Sequence, residues 1–104
     1  MNKYPITASI ASREFQFGTD GAATVVRLVI GIPTELPEAP HQDWYCPWSI
    51  EGPHDTWEHH AEGVDALQAL VLALSAIRGE LEQVRRSGSL TWLGCDDLGL
   101  NIVG

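Results

Sequence analysis

The chain of 104 residues is 44% hydrophobic and 19% charged, and 14 acidic against 6 basic residues give it a formal net charge of −8. This length predicts a single domain spanning residues 1–104, and the apolar content excludes an intrinsically disordered chain. Because so acidic a surface repels phosphate groups and anionic lipids, we expect neither nucleic acid nor a membrane as a partner.

The first residues contain no continuous apolar stretch and no small-residue cleavage site, so we expect no secretory signal and a cytoplasmic location. Cys46 and Cys95 are far apart and match no paired-cysteine spacing. In a reducing compartment this favours two free thiols, and a disulfide between them stays the alternative.

A β-hairpin is predicted near the start of the chain. Residues 9–18 alternate, with Ile10, Phe15 and Phe17 as their apolar positions. Glycine and aspartate in residues 18–21 indicate a turn, and residues 23–32 are rich in β-branched side chains. Three prolines in residues 33–42 then predict an exposed loop that is neither strand nor helix.

A third strand is predicted over residues 43–50, Asp-Trp-Tyr-Cys-Pro-Trp-Ser-Ile. Strand alternation places four apolar side chains on one face, namely Trp44, Cys46, Trp48 and Ile50. We therefore expect this stretch to be mostly core. Pro47 has no N–H to donate, which predicts that the strand is either at a sheet edge or bulged at that point. A short fourth strand is predicted at residues 56–60.

A long helix is predicted over residues 63–87. Asp65 with Gln68 three positions on fits an N-cap and its reciprocal partner, and Gly88 predicts a left-handed stop. Apolar side chains recur at three- and four-residue steps, the spacing of one helical face: Leu67, Leu70, Val71, Leu74, Ile77, Leu81 and Val84.

The first half of this helix is apolar nearly all round, so we expect a cover on both sides. The sheet is one cover, and either the 33–42 loop or a partner subunit is the other. Residues 89–93 then predict a last short strand, and residues 98–103 an extended apolar tail. The fold class is therefore α+β, an antiparallel sheet of four to five strands with one long helix on one face.

The histidines indicate metal binding as an alternative function. His54, His59 and His60, with Cys46 or Asp43, offer groups that suit zinc. However, no His-x-x-x-His or Cys-x-x-Cys spacing is present, and on a strand His59 and His60 would point to opposite faces. A metal-binding protein or metal-dependent enzyme in the His54/His59/His60 region is therefore the second hypothesis.

The other residues that could act in catalysis or bind a cofactor favour a protein that is not an enzyme and has no cofactor. Cys46 lies between two tryptophans, where a thiol behaves as a small inert hydrophobe. Asp96 and Asp97 are more typical of a solvated turn than of a cation site. The glycines form no phosphate-binding loop, because the lysine and the following helix are missing.

The aromatic side chains predict both core and contact surface. We assign Trp44, Trp48 and Trp92 to the core because of strand alternation. The predicted interaction surface comprises Tyr45, Trp57, Glu58 and His60. A third hypothesis is a small-ligand pocket between helix and sheet, lined by tryptophan.

Two segments carry a resemblance. Residues 63–70, Gly-Val-Asp-Ala-Leu-Gln-Ala-Leu, and residues 90–94, Leu-Thr-Trp-Leu-Gly, resemble a group of small uncharacterised bacterial proteins that share a domain of unknown function. That resemblance implies the fold and a bacterial origin, and it assigns no catalytic or ligand residue.

Small acidic α+β proteins of this kind also resemble immunity or accessory proteins of bacterial toxin systems, in which an acidic surface masks a basic nuclease. The first hypothesis is therefore a protein–protein interaction module whose partner is a basic toxin or a second copy in a homodimer. The alanine-rich flank of the helix and the edge strand are the two surfaces on which such a homodimer could form.

Overall fold

The computed structural model describes residues 3–18, 23–37, 43–52 and 55–100. Its elements follow in the order β1 (Ser9–Phe17), β2 (Thr24–Gly31), β3 (Thr34–Glu35), β4 (Trp44–Glu51), β5 (Thr56–Gly63), α1 (Ala66–Arg86) and β6 (Leu90–Thr91). β1 pairs with β2 and β6, and β4 pairs with β2, β3 and β5, all antiparallel. With the helix packed against this sheet, the predicted α+β class is confirmed.

β4 is an interior strand whose register with β5 runs unbroken through Pro47, so both the predicted sheet edge and the predicted bulge are wrong. The ladder with β2 ends at Trp48, and the ladder with β3 begins at Tyr45. Pro47 therefore lies opposite the break between β2 and β3, where a missing N–H costs no bond to either strand. The same pairing overturns part of the predicted 33–42 loop, because Thr34 and Glu35 form β3; residues 38–42 lie outside the described residues.

One face of the sheet and the buried side of α1 form the core. The apolar face predicted for β4 is confirmed, because Cys46, Trp48 and Ile50 are buried and Trp44 packs against them. Phe15 of β1 and the inward residues of β2 complete the sheet side. The prediction that the tryptophan–cysteine stretch is mostly core is therefore correct.

The apolar face predicted for the helix is confirmed in part, because Ile77, Leu81 and Val84 are buried and Leu70 and Leu74 pack against the core. The buried residues of the helix are Ala69, Ala73, Ile77, Leu81 and Val84. Leu67 and Val71, which the predicted apolar face included, are exposed. The alanines face inward because the backbones meet closely at this end: a Cβ on Gly63 would lie 2.6 Å from the backbone nitrogen of Ala69.

The helix begins as predicted and ends differently. The Asp65 carboxylate accepts a hydrogen bond from the Gln68 N–H at 2.7 Å, and the Gln68 side chain accepts one from the Val64 N–H at 2.7 Å. The left-handed stop at Gly88 is wrong, because the helix is capped by Ser87 and Gly88 has no positive φ. Glycine is needed at position 88 because a Cβ there would lie 2.5 Å from the ring of Phe17.

Residues 4–6 cover the part of the second face of the sheet that carries Tyr45 and Gly31. The Tyr45 hydroxyl donates to the carbonyl oxygen of Pro5 at 3.0 Å, and the Tyr4 ring meets the Tyr45 ring edge to face at 5.4 Å. Ile6 reaches Gly31, where an added Cβ would lie 3.0 Å from its side chain. Tyr45 is consequently only 4% exposed.

The predicted last strand is shorter than expected. After β6, Trp92 and Cys95 form an isolated bridge around a tight turn in which Leu93 and Gly94 have φ of 53° and 79°. The Arg13 guanidinium lies 3.7 Å from the Trp92 ring centroid and donates to the Leu98 carbonyl oxygen at 2.9 Å. Residues 98–100 form no strand, and residues 101–103 of the predicted tail lie outside the described residues.

Candidate functional site

A cleft of about 430 Å³ lies between β5 and the second half of α1. It is lined by Asp55, Trp57, His59, Glu80, Gln83, Val84 and Ser87. β5 pairs with β4 so that Trp57 lies opposite Ile50 and His59 opposite Trp48. Because directly paired residues share a face, Trp57 and His59 lie on the helix side of the sheet.

The Glu80 carboxylate is the centre of this site. Its Oε2 accepts a hydrogen bond from Trp48 Nε1 at 2.8 Å, and its Oε1 accepts one from Trp57 Nε1 at 2.9 Å. The Nδ1 atom of His59 lies 2.6 Å from Oε1. An indole N–H can only donate, so each tryptophan requires an acceptor when it is packed into a core. Glu80 meets both requirements and ties α1 to two strands.

His59 is the most accessible member of this group. Its side chain is 55% exposed, against 17% for Glu80. Its second ring nitrogen, Nε2, can donate or accept a hydrogen bond, depending on the tautomer. Among the described residues that line the cleft, His59 is the one side chain that can become cationic. The arrangement can therefore hold a positively charged or hydrogen-bond-donating group.

The predicted interaction surface is divided between the two faces of the sheet. Trp57 lies on the helix side, whereas Glu58 and His60 pair with Ser49 and Pro47 on the opposite face. Tyr45 also lies on that opposite face, and its expected exposure is wrong because the N-terminal residues cover it.

His60 is engaged on the same covered face. Its Nε2 lies 3.0 Å from a carboxylate oxygen of Glu62, and its ring stacks on Tyr4 with the centroids 3.6 Å apart. Tyr45, Glu58 and His60 thus share one face with the N-terminal residues, and Trp57 belongs to the cleft.

The histidines of the metal hypothesis are not brought together on β5. His59 and His60 point to opposite faces of the strand, as predicted, and His54 lies outside the described residues. Within residues 3–18, 23–37, 43–52 and 55–100, no group of three or more His, Cys, Asp or Glu side chains could hold a metal ion.

Both cysteines are free thiols, as predicted. Cys46 is buried, and its sulfur lies 3.6 Å from the Gly31 carbonyl oxygen. Burial raises the pKa of the Cys46 thiol to about 11. Since the thiolate is the reactive form, this environment suppresses nucleophilic chemistry at Cys46.

The Asp96-Asp97 pair belongs to a turn, as its sequence predicted. The Asp97 side chain accepts a hydrogen bond from the backbone N–H of Gly99 at 2.9 Å, and Gly99 has a φ of 70°. The Asp96 carbonyl oxygen accepts from Arg85 at 2.6 Å. These contacts anchor the chain after β6 to the end of the helix.

Sequence comparison identifies a family. A family described as a domain of unknown function, DUF6968, matches residues 11–102, which include α1 and every strand except the first two residues of β1. The chain belongs to DUF6968. No curated protein and no solved structure matches it. The resemblance to an uncharacterised domain is thereby confirmed, and the bacterial origin stays a prediction.

Glu80 of this DUF6968 domain was not among the predicted site residues, although a sequence pattern marks it. Position 80 lies three residues after Ile77 and four before Val84, within the buried stripe of the helix. A single carboxylate in an otherwise apolar stripe needs donors nearby, and the tryptophans of β4 and β5 are the nearest donor-only side chains.

The same DUF6968 domain exposes an apolar surface on the outward side of α1. We call this surface the helix patch, and it consists of Val64, Leu67, Val71 and Leu72. Residues 66–77 contain no charged side chain. The described part of the chain contains no helix with the length and apolar character that crossing a membrane requires.

Proposed function

We propose that this DUF6968 protein is a non-enzymatic protein–protein interaction module that forms a homodimer through the helix patch. The observation that carries the proposal is the exposure of large apolar side chains where a helix of a monomer normally carries charge. Val64 is 72% exposed and Leu67 is 68% exposed. A contiguous apolar surface of this kind is typical of a contact site.

A second copy of the chain suits this surface better than a charged partner. Two copies with a net charge of −8 each repel one another, and an uncharged contact keeps their carboxylates apart. In an antiparallel twofold pairing centred on Val71 and Leu72, the Asp65 end of one helix approaches the Arg78 end of the other. Opposite charges then flank the apolar centre on both sides.

The chemistry of the described side chains supports a role without catalysis. Cys46 is enclosed in the core with a raised pKa, and Glu80 already accepts hydrogen bonds from two tryptophans and contacts His59. The charge of −8 further supports an accessory or immunity-like role in the bacterial cytoplasm, in which the dimer masks a basic protein such as a toxin.

Sedimentation equilibrium of the wild type and of a Leu67→Gln, Val71→Gln double variant tests the dimer. Both substitutions keep the charge and a good helix propensity, so the fold should persist in circular dichroism. We expect the wild type to have twice the mass of one chain and the double variant to associate at least tenfold more weakly, about 1.4 kcal/mol.

Val25→Thr is the matched control, because Val25 is an exposed apolar residue on β2, away from the helix. This variant should dimerise like the wild type. A monomeric wild type at about 100 μM, or a double variant that associates as strongly as the wild type, would contradict the proposal, since a specific homodimer is expected at a dissociation constant in the micromolar range or below.

A further inference from the structure

The cleft beside Glu80 has the dimensions of a site for a small group. Its volume of about 430 Å³ falls in the range of known ligand pockets, roughly 300–1,000 Å³. Trp57 and Val84 supply apolar wall, and Asp55 and Glu80 supply carboxylates. A few polar groups in a largely apolar cleft are what orient a bound ligand.

Trp57 is held in place before any ligand arrives. Its N–H donates to Glu80 at 2.9 Å, and a Cβ on Gly52 would lie 2.9 Å from the six-membered ring. The indole is therefore fixed at its nitrogen and at its opposite edge. A fixed aromatic ring binds a planar partner at a low cost in conformational entropy.

The charge of the cleft selects a cation. Neither indole that donates to Glu80 carries a positive charge, and no lysine or arginine is among the described residues that line the cleft. Oε2 accepts only the Trp48 N–H among the described residues, which leaves a second lone pair on that oxygen. Asp55 adds a second carboxylate, and the whole chain carries −8.

We propose that this cleft binds a guanidinium group, between the Trp57 indole and the Glu80 carboxylate. A guanidinium is planar, stacks on aromatic faces and carries several N–H donors in one plane. It can therefore contact the indole and donate to Oε2 together, which the compact, strongly hydrated ammonium of a lysine does less well. An arginine side chain of a partner protein and a free guanidino compound share this chemistry.

The site is separate from the helix patch. The cleft is formed by Glu80, Gln83, Val84 and Ser87 of the helix end, whereas the patch occupies residues 64–72. Loss of dimerisation would leave guanidinium binding intact, and loss of guanidinium binding would leave the dimer intact.

The experiment is a titration of the full chain with N-acetyl-L-arginine amide, followed by the indole N–H resonances in ¹H–¹⁵N spectra. We expect saturable shifts of the Trp48 and Trp57 signals. The Trp92 signal should not shift, because Trp92 follows β6 at the opposite edge of the sheet and lies against Arg13. A Trp57→Phe variant assigns its resonance.

Three variants locate the binding. Glu80→Gln should weaken it at least tenfold, whereas Glu82→Gln, which makes the same charge change outside the cleft, should leave it unchanged. If Glu80→Gln loses its fold in circular dichroism, Asp55→Asn is the second variant, because Asp55 is exposed and lies at the cleft; it should weaken binding about threefold.

Two further ligands test whether the cleft prefers a guanidinium to an ammonium, and whether it prefers a free compound to an arginine residue. N-acetyl-L-lysine amide should bind at least fivefold more weakly, and equal binding would overturn the guanidinium assignment. Agmatine, a free guanidino compound, compared with the arginine amide shows whether the cleft prefers a small molecule or a residue within a chain. No saturable shift with either guanidino ligand, or equal binding by the Glu80→Gln and Glu82→Gln variants, would overturn the proposal.

Discussion

Glu80 shows how a single residue can join the core and the surface of this domain. A half-buried carboxylate is costly unless it is hydrogen-bonded, and hydrogen bonds to a charged group each contribute about 1.5–3 kcal/mol. Trp48 and Trp57 supply two such bonds, and His59 lies against the same carboxylate. The two tryptophans therefore belong to the packing of the protein and at the same time shape the negative end of the cleft.

Cys46 gives a residue-scale prediction about reactivity. Because its thiol is buried with a pKa of about 11, a thiol reagent at pH 8 should label Cys95 quickly and Cys46 only after unfolding. Mass spectrometry of the labelled chain, with and without denaturant, checks this. Cys95→Ser is the control and should remove the fast reaction. Rapid labelling of Cys46 in the folded chain would contradict its enclosure.

The same thiol predicts the direction of a pH effect on stability. The folded-state pKa of Cys46 is raised from 9.0 to about 11, so above pH 9.0 the unfolded chain releases a proton that the folded chain keeps. The stabilisation is complete below pH 9.0 and is lost as the pH rises toward 11. In urea unfolding, the stability of wild type relative to Cys46→Ala should fall across this interval, and a constant difference would contradict the shift.

At the scale of elements, two glycines of the helix region differ in whether the structure leaves space for a Cβ atom. A Cβ on Gly79 would meet nothing within 4 Å, whereas a Cβ on Gly63 would meet the backbone of Ala69 at 2.6 Å. Gly79→Ala should therefore raise the free energy of unfolding by about 0.5–1 kcal/mol. Gly63→Ala should lower it by about 1–3 kcal/mol, because the helix start must shift.

Urea unfolding at one protein concentration measures both changes, since the proposed dimerisation would make stability depend on concentration. The two variants serve as controls for each other, because each adds one methyl group. Equal effects of the two substitutions would show that the close approach of β5 and α1 at Gly63 is not a constraint.

The elements that the sequence predicts well are those set by local periodicity. The alternation in β4 identified its buried face, and Asp65 identified the helix start. The inward side of the first turns of α1 was not predictable in the same way, because alanine and leucine are both apolar. Which of them faces the sheet depends on how closely the backbones approach at Gly63, and that distance has no local signature.

The candidate site was only partly predictable, for a related reason. A tryptophan-lined pocket between helix and sheet was among the hypotheses, and Trp57 was singled out as a contact residue. Glu80 was missed because its partners lie 21 to 32 residues away in the sequence. Tyr45 was assigned to the surface because its cover, around Pro5, is a segment without regular structure.

At the scale of the whole molecule, the two faces of the sheet are covered to different extents. The helix covers the face that carries Trp48, whereas the first described residues cover the opposite face around Tyr45 and leave Val25 and Arg27 exposed. These first residues precede the family match, which begins at residue 11. Residues 3–8, which form this cover, belong to no helix or strand, so they should open more easily than the helix.

Tyr45→Phe tests how this cover is held. The substitution keeps the ring against the sheet and removes only the hydrogen bond to Pro5, so the free energy of unfolding should fall by about 1 kcal/mol. Amide hydrogen exchange of residues 3–8 should accelerate. Exchange in α1 should accelerate only by the amount that the lower free energy of unfolding of the whole domain causes.

Thr24→Val is the control, because it removes an exposed hydroxyl contact of 3.5 Å with Phe17 far from the N-terminal residues. If Tyr45→Phe leaves exchange of residues 3–8 unchanged, the stacking of Tyr4 on His60 and the packing of Ile6 beside Gly31 hold the cover without the hydrogen bond.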